Sequence, residues 1–155
     1  MPVPASVRFL PPGVHGAGAL LPGDRIECGS IMVTAEMIDT FAALTGDRFE
    51  IHISEQAARR HGFDGRVAHG LLVLSLVDGL KNQAAAQIRA RASRGWDWRF
   101  RAPVFAGDTV SVQMQVTGIH ASKSPDQAFV SLEFHVLNED GVAVQTGTNS
   151  LLAYR

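Results

Sequence analysis

The run Gly70-Leu-Leu-Val-Leu-Ser-Leu-Val-Asp-Gly-Leu80 restricts the possible folds more than any other stretch of this chain. Leu71, Leu72, Val73, Leu74, Leu76, Val77 and Leu80 cover every side of a helical cylinder, where a surface helix would carry a single apolar stripe. Such a helix should be wrapped by other structure. It is too short and too interrupted to cross a bilayer, which takes about 20 apolar residues. From Lys81 to Arg89 the pattern turns amphipathic, which predicts that the helix continues to the surface.

The period then changes from near 3.6 to 2. Residues 96–100, 110–116 and 129–136 alternate as strands do, 142–154 form a fourth and less regular candidate, and 24–33 form an isolated strand earlier on. Gly29 breaks the alternation of that first strand, as a bulge would. Two short helices follow it. Thr34 caps one, with Ile38, Phe41 and Ala42 on its apolar face and Gly46 at its end; Ser54 caps the other, and Gly62 stops it. Residues 46–53 are left as a linker. Strand, two short helices, one buried helix and four consecutive strands predict an α+β fold with an antiparallel sheet curled around the long helix. One sheet face should be wet, since polar residues alternate cleanly along 110–116.

The chain has 155 residues, enough to bury roughly two-thirds of its unfolded surface, so residues 24–155 are expected to form one domain. Residues 1–23 hold five of the seven prolines and read as an extended surface arm, not a signal peptide. A net charge of −1 gives no field that would attract nucleic acid or an anionic membrane. The single cysteine, Cys28, allows no intrachain disulfide, which fits a cytoplasmic protein. No zinc spacing, P-loop or dinucleotide fingerprint is present, so neither a metal nor a nucleotide cofactor is expected.

Two places can carry chemistry. Asp47 and His52 are five residues apart, a spacing that separates side chains by about 140° on a helix and sends them to opposite faces of a strand. Only a bent linker brings them together, where they could hold one water between carboxylate and imidazole. The plainer reading makes Asp47 a turn residue and His52 a half-buried neighbour. The second place is Val67-Ala-His-Gly70, which opens the apolar helix: its unpaired N–H groups and positive dipole end, with no side chain on Gly70, suit a developing oxyanion. Alternatively, His69 and Gly70 only form a tight entry.

Taken together, Thr45-Gly-Asp-x4-His52, Ala68-His-Gly-Leu-Leu-Val-Leu-Ser-Leu-Val-Asp-Gly-Leu80 and Trp96-Asp-Trp-Arg-Phe-Arg-Ala-Pro-Val-Phe-Ala-Gly-Asp-Thr-Val110 resemble the MaoC-like dehydratase family, which includes the (R)-specific enoyl-CoA hydratases. The resemblance covers about residues 24–152. It implies a hot-dog fold, reversible hydration of a 2-enoyl thioester to a 3-hydroxyacyl thioester, and a homodimer or higher homo-oligomer with acyl-CoA as substrate and no further cofactor. It places the catalytic pair on Asp47 and His52 and the thioester-binding N–H on Gly70. Phe49-Glu50 stands where the family usually has Asn-Pro, and Asp78 where it has a serine, with Ser75 one helical turn earlier. His69, Ser75, Phe49, Phe63, Arg99 and Arg101 are the expected substrate contacts, with Phe41 and Leu74 as further pocket walls. A hot-dog thioesterase and a non-catalytic acyl-CoA-binding protein are the rival expectations.

Overall fold

A computed structural model describes residues 6–155. In chain order the elements are β1 (Gly13–His15), a 3-10 turn (Ala17–Ala19), β2 (Arg25–Met32), α1 (Ala35–Thr45), α2 (Glu50–Ile53), α3 (Glu55–Arg60), α4 (Gly70–Gln83), β3 (Ala86–Ile88), β4 (Ala90–Phe100), β5 (Thr109–Ala121), β6 (Gln127–Leu137) and β7 (Ala143–Tyr154). The five long strands form one antiparallel sheet in the order β2-β5-β6-β7-β4.

This sheet is the expected wrapping around α4. Val110, Val112, Met114 and Val116 of β5 face inward with Val130, Leu132, Phe134 and Val136 of β6, in one buried cluster with Leu72, Val73 and Val77 of α4. Gln113 and His135 face solvent from the other side, so the expected wet face is present. Burial of these apolar side chains, at about 1.5–3 kcal/mol each, is what holds the sheet to the helix. Gly29 does mark a bulge: the β2–β5 register shifts between Glu27 and Gly29, and Gly29 takes a φ of +89°. Trp96 and Trp98 lie half-buried against Phe134, as expected of core residues, with ring centroids 5.3 and 5.9 Å from it.

Three expectations need correction. The long helix stops at Gln83, not Arg89, because Ala86–Ile88 pair in parallel with Gly13–His15 while the Gln87 side-chain amide donates to the terminal carbonyls of Lys81 and Ala84. Alanine-rich sequence favours helix only where no tertiary partner competes. Nor is α4 wrapped on every side. Leu71 is 59% exposed and Ser75 is exposed, since one curved sheet covers one side of a cylinder. Finally, the arm is in part core: Leu10, Ala17 and Leu20 are buried, and the Arg8 guanidinium ties it to the buried Asp24 at 2.6 Å.

Candidate active site

The chain between α1 and α4 builds the site. Gly46 ends α1 in the left-handed conformation, φ +78°, and its N–H reaches the carbonyl of Ala42. Only glycine takes this conformation without strain. The bend delivers Asp47, whose Oδ1 accepts the N–H of Phe49 at 3.2 Å and so starts the single turn of α2. His52 sits in that turn. Thus the linker is bent, as convergence of the two requires, and it contains a short helix that the sequence did not suggest.

His52 is buried, and its Nδ1–H donates to the carbonyl of Val67 at 2.6 Å. A carbonyl only accepts, so Nδ1 carries the proton and, in the neutral ring, Nε2 keeps a free lone pair. Burial pushes the His52 pKa below its ordinary value of 6.5, and His69 adds to the effect, against the opposing influence of Val67 and Asp47. The ring is therefore neutral at neutral pH, as a base must be.

His69 is only 2% exposed, and its Nε2–H donates to the backbone carbonyl of Asp47 at 2.9 Å. Its ring stacks on that of His52, centroid to centroid 3.9 Å, and the Phe41 ring packs tilted against it at 4.9 Å. A carboxylate oxygen of Asp47 and one ring nitrogen from each histidine lie within 4.8 Å of one another. Each ring already spends one nitrogen on a backbone carbonyl, which leaves one nitrogen per ring for the site. The group has the dimensions to hold a water molecule between carboxylate and imidazole.

These residues open onto a cavity of about 510 Å³ lined by Asp47, His52, Phe63, His69, Gly70 and Arg101, with Ile51, Val67, Leu71, Phe100 and Gln145 among the further walls. Gly70 is the first residue of α4, so its N–H has no intrahelical acceptor and lies at the positive end of the dipole. A β-carbon there would meet the Phe100 ring at 2.4 Å, so Phe100 packs directly against the glycine. Gln145, buried on β7, donates to the Gly70 carbonyl at 3.1 Å and accepts the Trp98 indole N–H at 2.8 Å.

Of the expected contacts, Phe63, His69 and Arg101 line the cavity and the others do not. Ser75 lies on the exposed side of α4 with its hydroxyl on the Leu71 carbonyl, and Arg99 is turned to Asp97. Phe49 stands edge-on to His52 at 5.9 Å but outside the cavity, Phe41 packs against His69, and Leu74 does not reach the walls. Glu50, the unexpected carboxylate beside the pair, is held away by His61 at 2.6 Å and Arg60 at 3.7 Å. Asp78 pairs with Lys81 at 2.6 Å. Cys28 is not a rival nucleophile, since burial pushes its thiol up to about 12. Phe100 and Gln145 were missed. Phe100 fits the alternation of its strand, and Gln145 falls in the strand whose period is least regular.

The comparisons with known proteins agree with this architecture. The model of the MaoC like domain matches residues 21–133. The (R)-specific enoyl-CoA hydratase of Aeromonas caviae is 30% identical over 115 residues, which cover 73% of this chain and 81% of that protein. The 3-hydroxybutyryl-CoA dehydratase of Methylorubrum extorquens is 40% identical over 81 residues, 49% of this chain and 48% of that one. The crystal structure of a MaoC-like dehydratase from Rhodospirillum rubrum superposes with a TM-score of 0.82 at 28% identity, covering 91% of this chain and 97% of the other. Among the described residues, no helix is long and apolar enough to cross a membrane.

Proposed function

The chain belongs to the MaoC-like domain family, and from that premise we propose that it is an enzyme adding water reversibly across the double bond of a 2-enoyl thioester to give a 3-hydroxyacyl thioester. One observation supports this above the rest: Asp47, His52 and the N-terminus of α4 at Gly70 face the same cavity. In this reading Asp47 and His52 hold the water, its oxygen bonds to C3, and its proton passes to the pair. The pair returns a proton to C2, while the Gly70 N–H stabilises the enolate-like thioester oxygen that forms in between. The transferred proton is assigned to the pair and not to either member. The thioester is the electron sink, and coenzyme A enters only as part of the substrate.

Two copies of the chain are proposed to pair through β4. The test of the function uses crotonyl-CoA, following enoyl absorbance and free thiol together. Loss of absorbance without thiol is expected. Release of thiol would mean hydrolysis, and neither change would leave a binding role.

A further inference from the structure

The single turn that carries His52 cannot hold itself. A four-residue helix is far below the length at which hydrogen bonding repays nucleation, and its last carbonyls have no partner within the helix. The segment 66–67 supplies what is missing. The Val67 N–H donates to the Ile51 carbonyl at 3.0 Å, the Val67 carbonyl accepts His52 Nδ1–H, and the Arg66 Nε–H donates to the His52 carbonyl at 2.7 Å. The other arm of the same guanidinium forms an ion pair with Asp39 on α1. The Arg66 carbonyl in turn accepts the N–H of Ala106, which pins the segment to the chain leading into β5.

We propose that Arg66 is a positioning residue for the catalytic pair, joining the helix that delivers Asp47 to the backbone of the turn that delivers His52. This rests on the reading of Asp47 and His52 given above, and the contacts themselves do not. Arg66 is not among the cavity walls, and its side chain is 17% exposed, so it acts on His52 without meeting the substrate. The planar guanidinium suits the task because it sends donors in two fixed directions at once, one to a carbonyl and one to a carboxylate. Lysine has the charge but not the fork. With the fork gone, the single turn of α2 loosens and the His52 lone pair shifts relative to the Asp47 carboxylate, and a displacement of about 1 Å is enough to cost about 100-fold in rate.

The experiment compares the full-length parent with Arg66→Ala and Arg66→Lys. On crotonyl-CoA, Arg66→Ala should lose about 10- to 100-fold in kcat with KM little changed, and millimolar guanidinium chloride should restore part of the loss. Arg66→Lys should keep the Asp39 pair and the fold yet remain slow, and it carries the test if the alanine variant does not fold. In parallel, NMR follows the His52 ring proton, identified by its disappearance in His52→Gln. That proton should exchange slowly in the parent, faster in both variants, and slowly again when guanidinium is added to Arg66→Ala. Parent-like kcat in the variants, a loss in Arg66→Ala that guanidinium does not touch, or an unaltered ring proton would each overturn the proposal. If the parent itself does not hydrate the thioester, the functional reading fails, and the ring proton alone decides the role of Arg66.

Discussion

At His52 one ring nitrogen is spent on Val67 and the other is free, and this division governs the pH behaviour. Burial holds the pKa below 6.5, so the neutral ring is the working form across neutrality. The profile of kcat/KM should therefore be flat near pH 7 and fall on an acid limb with its midpoint below 6.5; a midpoint above that value would contradict the assignment. The same lowered pKa contributes stability that is present above pH 6.5 and is lost as pH falls through the folded value. Asp47→Asn and His52→Ala should each lower kcat by about 10²–10⁴ in a folded protein, checked by steady-state kinetics beside circular dichroism. Gly70 calls for a subtler test, because Phe100 occupies the space of its missing side chain. Gly70→Ala should inactivate, and Gly70→Ala with Phe100→Ala should regain stability in thermal melts but not activity. Recovery of both would mean that the glycine serves packing alone. The odd spacing of Asp47 and His52 asked for a bent linker, and the chain does bend there, but the spacing by itself favoured the plainer reading; their role as a pair came from the family resemblance and stands as a proposal. Gln145 was not legible, since a buried glutamine on an irregular strand looks in sequence like a solvent-facing one.

Among the elements, the helix starts were the most legible, because capping is local chemistry. Thr34 Oγ1 accepts the Met37 N–H at 3.1 Å and Ser54 Oγ the Ala57 N–H at 3.1 Å, each where the sequence suggested. Thr34→Ala should cost about 1 kcal/mol in urea unfolding while leaving kcat within about twofold, because α1 is also held by its buried Ile38 and Ala42. A collapse of activity would mean that the cap reaches the site. What sequence could not show was where α4 ends. Residues 84–88 suit a helix by composition, and it is pairing with Gly13–His15, 73 residues earlier in the chain, that makes Ala86–Ile88 strand. The short turn of α2 was hidden for a similar reason, since its support comes from Arg66 and Val67 and not from its own residues.

For the whole molecule, β4 is the telling strand. Among the described residues it pairs with β7 along one side only, and near its end lie the exposed Leu71 and Phe100, the latter 57% accessible. Unpaired edges of this length are usually covered, and a two-fold copy is the simplest cover. If the second copy helps wall the cavity, dimer content and activity measured over one dilution series should fall together; a fully active monomer of about 17 kDa would mean that the site needs no second copy and would leave the roles of Asp47 and His52 untouched. The sheet order also implies a history of assembly. β5, β6 and β7 are successive hairpins, whereas Arg25 must find Gln115 and Ala90 must find Ala153. Closing long loops is entropically costly, so the three-strand meander should nucleate folding, and the strand that precedes the helices should dock late. In stopped-flow experiments, Leu132→Ala should then chiefly slow refolding, while Ile26→Val chiefly speeds unfolding. β2, laid down before any of the strands it must join in the sheet, would be the last to join and the first to leave.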